Sequence, residues 1–483
     1  MTTKNLTKYS FLLFICIITG LKALFLKRTP LFGDEALYCF LGLKFLNTPL
    51  ASAWKYGTIF WKDAPGLLLL NALSLKLFGQ MNPIFACRMT SVICSGFSAI
   101  VFYRIAIFIS KNKKASLIAT ILLLLNPFSF FFDRTSLMDA PLVTFILLFL
   151  YFSLRFLKSG KWRYFIGTIL ALILMFMTKF NSLLILPYTF YLMYGQDFNT
   201  AYKKKYLFSV FIITGILIFY TAATTKIWET VFYHVDSSLA LEDLFTRTER
   251  NIKLIMSWLA QFLSLPILGL FFWGFLEGIK RQKTNIVLIS PFFFLIYAVT
   301  SLTLFARYLL FILPFFFLTI SFVESRRIGK LLLYGLLIYF IWNDSLILIS
   351  PEKAALAKEV KFEFFQDWGS GIGTQILFKQ LLNFSGISSK LIIPIDLLGL
   401  VSISNIAYAP NYKIETITVS NSTELEQLLK NKEQYLIITT IQHEWMNKPL
   451  SLYKNTKLLF TTNSRQRNAV LLYEKSGNHE TNN

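Results

Sequence analysis

Cysteine is scarce in this chain, and its placement narrows the options. Four occur in 483 residues (Cys16, Cys39, Cys87 and Cys94), all before residue 95 and three of them within or beside apolar stretches. The C-terminal region has none, which argues against a disulfide framework, and no spacing matches a zinc cluster. Charge is scarce too: 15% of residues are charged, against about 25% in ordinary soluble domains. A cleavable leader lacks its parts. Lys4 and Lys8 precede an apolar run from Tyr9 to Leu26, but Lys22 interrupts the run and no small-residue cleavage site follows. The expectation is an uncleaved anchor.

What the chain has is apolar surface. Hydrophobic residues make up 55%, aromatics 17%, and the mean hydropathy is +0.56. Runs near the roughly 20 residues needed to cross a bilayer recur to about residue 350. Eleven spans are expected, at about 9–27, 84–109, 115–132, 138–154, 162–178, 182–195, 206–225, 253–276, 286–304, 307–323 and 331–349. The fold class is therefore an α-helical polytopic membrane protein. A formal charge of +22 would suit a nucleic-acid binder, but the stretch from Pro351 onward is nearly neutral, with 14 Lys/Arg and 12 Asp/Glu. The excess cations sit in short loops between spans, a topology signal rather than a polyanion-binding face.

Five loops carry three or four cations each: Lys111 to Lys114, Arg155 to Arg163, Lys203 to Lys205, Lys280 to Lys283, and Arg326 to Lys330. The positive-inside rule makes these cytoplasmic, which puts the N-terminus inside and the C-terminal region outside the plasma membrane. Lys27 and Arg28 run against this scheme. The opposite loops hold most of the acidic residues before position 350, with Asp34, Glu35, Lys62 and Asp63 in the first and Asp133, Arg134 and Asp139 in the second. Lys179 falls in the third, His234 in the fourth and Arg307 in the fifth. The chemistry is expected on the outer side.

The first outer loop, about 28–83, is long and apolar. Leu37, Phe40, Leu41 and Phe45 recur at three- and four-residue steps after Asp34, one face of a short helix ended by Asn47-Thr48-Pro49. Residues 66–79 are apolar but short for a span, so both are expected to lie in the interface. After residue 350 the pattern changes to short strands ("KLIIPI", "YKIETITV", "QYLIITT", "KLLFTT", "AVLLYE") with helices at 374–384 and 422–431. The expected domains are thus 1–350 in the membrane, 351–475 as a small α/β domain outside, and 476–483 as a tail. "GSGIG" (369–373) lacks the third glycine of a nucleotide loop at the correct step and has no clear preceding strand, so a turn opening a helix is the better reading.

Asp34 and Glu35 fall in the first turn of the predicted helix, where the dipole favours an anion by ~0.3–1 kcal/mol. A structural role is therefore available to both. Adjacent helical residues diverge by 100°, so at most one of them faces a reacting atom. Their company extends the reading. "FGDEALY", "WKDAPGLLLLNALSLKLFG", "ACRMTSV", "DRTSLMDAPLVTF", "FMTKF" and "ARYLLFILP" occur in that order. Together they resemble the motifs of the polyprenyl-phosphate-sugar-dependent glycosyltransferases, namely the protein O-mannosyltransferases and lipid A aminoarabinose transferases of the GT-C fold. "DWGSGIGTQILFKQLL" resembles the start of the outer domain of some bacterial members.

The resemblance implies an inverting transfer of sugar from a polyprenyl phosphate to an acceptor hydroxyl of a protein, lipid or glycan. It casts Asp34 as the base and Glu35 as an orienting group. Arg134, Lys179 and Arg307 are then candidates for the phosphate, with Arg88 near the cavity entrance and Asp139 either anchoring a loop or touching substrate. The family's acidic-Lys-Pro-Pro-Leu reads Asp63-Ala64-Pro65-Gly66-Leu67 here, so the lysine is absent, and Lys62, Lys179 or an arginine is left to cover its role. Some relatives pair the pre-proline acid with a histidine on a divalent metal. Asp63 and His234 would be that pair, and a solvated loop histidine is the competing reading. No cofactor beyond such a metal is implied. The rival class is a secondary transporter or flippase, which calls for mid-membrane charges and internal repeats, and the sequence displays neither.

Overall fold

The computed structural model describes residues 3–47, 66–80, 82–179, 182–183, 185–187, 189, 198–224, 241–301, 304–323, 327–366, 370–381, 390–394, 397–408, 415–420, 422–430, 433–440, 456–461 and 470–475. The chain divides into two compact units. One comprises Met1–Leu26, Phe45–Leu70 and Arg88–Ala357; the other comprises Lys27–Lys44, Asn71–Cys87 and Lys358–Asn483.

The first unit is helical. In chain order the helices are α1 (Thr3–Ala23), α2 (Gly33–Asn47), α3 (Gly66–Phe78), α4 (Pro83–Ser110), α5 (Lys113–Leu125), α6 (Asp139–Ser159), α7 (Trp162–Thr178), α8 (Thr200–Thr224), α9 (Leu241–Lys280), α10 (Ile289–Thr300), α11 (Leu313–Ile320) and α12 (Arg327–Ile349). Of these, most of α2 and parts of α3 and α4 belong to the second unit. Among the described residues five segments are long and apolar enough to cross a membrane: Tyr9–Arg28, Pro83–Ser110, Asp139–Ser159, Leu244–Lys280 and Leu332–Ile349. The protein is an integral membrane protein. The expected span 182–195 lies mostly outside the described residues.

Two expected spans are broken by local chemistry. The run 115–132 divides at Asn126, whose side chain accepts hydrogen bonds from the Phe128 and Ser129 amides and so caps a new short helix, Pro127–Phe132. The run 307–323 opens as a 3-10 helix, Ala306–Phe311, before α11. Within α9, Ser264 adopts φ 63° two residues before Pro266. Proline has no N–H and its ring clashes with the preceding turn, so the helix kinks there.

In the second unit, α13 (Ile372–Leu381), α14 (Leu398–Tyr408) and α15 (Ser422–Leu429) accompany five strands, β1 (Lys390–Pro394), β2 (Glu415–Val419), β3 (Tyr435–Thr440), β4 (Thr456–Thr461) and β5 (Val470–Lys475). The sheet order is β2-β1-β3-β5-β4, with parallel pairing at β1 and antiparallel pairing of β5 with β3 and β4. Alternate residues serve opposite faces. Leu391, Ile393, Leu436 and Ile438 belong to one core with Leu31, Ala36, Leu75 and Ile84. Ile392 and Ile437 join Val419, Leu425 and Leu429 in another. Burial on both faces is why these strands read as continuous apolar runs. Helix α2, predicted at 34–45, and α3, predicted at 66–79, form as expected. Their second-unit residues are sewn into the same core as the C-terminal sheet.

One expectation is corrected here. Cys39 and Cys87 are joined in a disulfide, with Cα atoms 5.8 Å apart and 48 positions between them. The argument against a framework counted cysteines in the C-terminal region, whereas this bond ties α2 of the first loop to the first turns of α4, the span that follows the loop.

Candidate active site

The sequence-derived residues fall into separate groups. Asp34 and Glu35 open α2, as the pattern predicted. Glu35 is buried, at 1% exposure, and its Oε2 accepts the Phe32 amide at 3.3 Å, a capping role at the helix start. Asp34, one residue earlier and turned 100° away, is only half-buried. Of the two carboxylates it is the more exposed.

In the first unit Asp139 and Lys179 meet. Asp139 begins α6 and is 3% exposed. Lys179 follows α7 in extended backbone (φ −161°, ψ 126°), which turns its side chain out of the helical register. Its Nζ lies 3.4 Å from Asp139 Oδ1 and 4.3 Å from the centroid of the Tyr308 ring. Tyr308 in turn packs against Tyr297, with centroids 6.2 Å apart. Arg307 precedes Tyr308, 8% exposed, with its guanidinium 4.8 Å from the Phe305 ring centroid. Lys179 is thus a half-buried ammonium held between one carboxylate and an aromatic face. Tyr308 was not singled out by sequence, although it stands inside the quoted "ARYLLFILP".

Arg134 and Arg88 are engaged elsewhere. Arg134 Nη1 donates to the Lys22 and Leu24 carbonyls, both at 2.7 Å, and Nη2 donates to Phe25 O at 3.3 Å. Arg88 Nη1 donates to the Leu26 carbonyl. These oxygens lie at and just beyond the C-terminal end of α1, where carbonyls lack helical partners and the dipole favours cations. Lys22, fully buried, pairs with Asp133 at 2.7 Å and reaches Ser95 Oγ at 3.4 Å. Burial pushes the Asp133 carboxyl up against the pull of Lys22. Burial, and then the like charge of Arg88, bring the Arg134 guanidinium down to about 9, still protonated at neutral pH. Asp344 of α12 is a buried carboxyl within electrostatic reach of Lys22 and Arg134, and neither of its oxygens has a hydrogen-bond partner among the described residues. A small cavity of about 30 Å³ borders Asp133, Ser95, Ser98 and Ser129. The geometry gives Arg134 a helix-capping job rather than an open face for phosphate. Lys22 entered the sequence reading only as an interruption in an apolar run.

Lys62, Asp63 and His234 lie outside the described residues. Among the described residues no group of three or more His, Cys, Asp or Glu side chains is placed to hold a metal.

Residues 62–228 match the family model described as dolichyl-phosphate-mannose-protein mannosyltransferase. The whole chain has the GT-C fold of solved ArnT structures. One is ArnT from Cupriavidus metallidurans bound to undecaprenyl phosphate, and another is the same protein in the apo state. Each gives a TM-score of 0.64 at 11% identity, covering 98% of this chain and 98% of that one. No curated protein matches the sequence.

Proposed function

We propose that the chain is an inverting glycosyltransferase that moves a sugar from a polyprenyl-phosphate donor to an acceptor hydroxyl, on the extracytoplasmic side of the membrane. The observation that carries this reading is an ArnT-like fold across nearly the whole chain, joined to the family match at 62–228. The carboxylate at the start of α2 and the Asp139–Lys179–Tyr308 group supply suitable chemistry.

A phosphate already departs readily, so the reaction needs a base for the incoming hydroxyl and positive charge near the departing phosphate. The acceptor oxygen bonds to the anomeric carbon as the bond from that carbon to the phosphate oxygen breaks. The hydroxyl proton passes to the Asp34 carboxylate, and the polyprenyl phosphate leaves as an anion. A single displacement inverts the anomeric configuration. Glu35 holds the turn that carries Asp34, and Lys179 and Arg307 are the candidate cations for the phosphate charge. Arg134 and Arg88 support this as caps of α1. The C-terminal region is extracytoplasmic and the N-terminus cytoplasmic in this reading, as the loop charges require.

The test is to supply the purified protein with a panel of polyprenyl-phosphate sugars and varied acceptors and to identify glycosylated product by mass spectrometry. Product with at least one donor, lost in Asp34→Asn, supports the reading. A folded protein that turns over none of them overturns it.

A further inference from the structure

The C-terminal α/β domain touches the chain on both sides of Asp34. Three residues before Asp34, the Leu31 carbonyl is met so closely by Gly371 that a Cβ there would run into it, and Gly371 stands at φ +63°, a conformation that favours glycine. Two residues before it, Phe32 stacks on Phe364 with ring centroids 4.7 Å apart. Two and three residues after it, the backbones of Ala36 and Leu37 lie against Gly399 of α14. A Cβ at Gly399 would stand 2.8 Å from Leu37 N and Cα and 3.1 Å from the Ala36 carbonyl carbon. Five residues after it, Cys39 is bonded to Cys87 and shares a core with Phe378, Ile393 and Leu400.

From this bracketing we infer that the C-terminal domain is a positioning element for α2, with Gly371 and Gly399 as the positioning residues that let its backbone seat against the turn carrying Asp34. The inference rests on the reading of Asp34 as the base. The sheet face that an independent binding module would offer to a partner is filled by the chain's own first loop: Leu391 and Ile393 pack in one core with Leu31 and Ala36. The sequence of α14 is consistent with that use. "LGLVSISNIAY" puts glycine, not a bulkier helix former, at the contact, accepting the low helix propensity of glycine in return for close approach. Displacing a reacting group by about 1 Å costs up to ~100-fold in rate, so a domain that touches no substrate still sets turnover.

The experiment compares full-length protein carrying Gly399→Val with the unaltered protein and with Gly215→Ala, a control at a helical glycine with open space around it. Two quantities are read: hydrogen exchange of the peptide covering 33–44, and turnover as kcat and KM separately. Gly399→Val is expected to raise exchange in 33–44 and to lower kcat by about tenfold or more, with donor KM within about twofold. Gly399→Ala should shift both in the same direction by less, and it carries the test if the valine variant does not accumulate. Unchanged exchange in 33–44, or raised exchange with kcat unaltered, overturns the inference. Raised exchange in a protein that never had turnover overturns the glycosyl-transfer reading instead and leaves the anchoring of α2 supported.

Discussion

Two adjacent carboxylates separate cleanly by burial. Glu35 holds the Phe32 amide and is nearly inaccessible, while Asp34 is half-open. Asp34→Asn is expected to lower turnover ~100- to 10,000-fold, as loss of a general base does, with unchanged abundance in isolated membranes. Glu35→Gln should act mainly on stability, lowering it by about 1–3 kcal/mol, measured by thermal unfolding in detergent. The Lys22–Asp133 pair has its own signature. Lys22→Met strands a buried carboxylate and should cost ~3–5 kcal/mol, whereas adding Asp133→Leu should recover much of that loss. At this scale the sequence was half-legible. The position of Asp34 in a first turn follows from local periodicity, and the 100° argument already said that only one of the two carboxylates faces outward. The partner of Lys22 lies 111 positions away, and no local pattern reveals a pairing of that kind. The partners of Arg134 were illegible for the same reason: a motif names the residue, but only the three-dimensional path of α1 shows which carbonyls it caps.

Among the elements, the end of α1 is the most heavily tied. Four carbonyls from Lys22 to Leu26 accept guanidinium hydrogen bonds from Arg134 and Arg88. Because the planar fork serves several oxygens at once and an ammonium cannot copy it, Arg134→Lys should destabilise the fold nearly as much as Arg134→Met. Thermal unfolding of the two variants side by side checks this. The Cys39–Cys87 bond gives a second prediction. Cys39→Ser with Cys87→Ser should lower stability by about 2–5 kcal/mol, and a reductant should then have no further effect on unfolding. Hydropathy found the long helices but passed over the break at Asn126-Pro127, because a window average does not register a side chain that caps a backbone. It also missed α14, whose glycine and serines depress helix propensity. That helix is dictated by its packing on α2 through Gly399, a tertiary cause invisible to a window.

As a whole, the molecule is legible from sequence in outline: apolar spans followed by a small α/β region, with the resemblance pointing to the fold that the ArnT structures share. The composition of the compact units was less legible. Residues 27–44 and 71–87 join the C-terminal region rather than the neighbouring spans, since hydrophobic periodicity says that a face is buried but not against what. A chain truncated after Ala357 should therefore lose order in α2 as well as in the missing domain, seen as rapid proteolysis or exchange within 33–44.

This patchwork makes the molecule dependent on the order of its own synthesis. The turn carrying Asp34 leaves the ribosome early, yet the residues that seat it begin only at Lys358, 314 positions after Lys44. At ~5–20 residues per second, the first loop waits about a quarter of a minute to a minute for its core partners. For most of that wait Cys39 and Cys87 are both already made, so closing the bond between them is a covalent tie that can gather the loop before the C-terminal domain arrives.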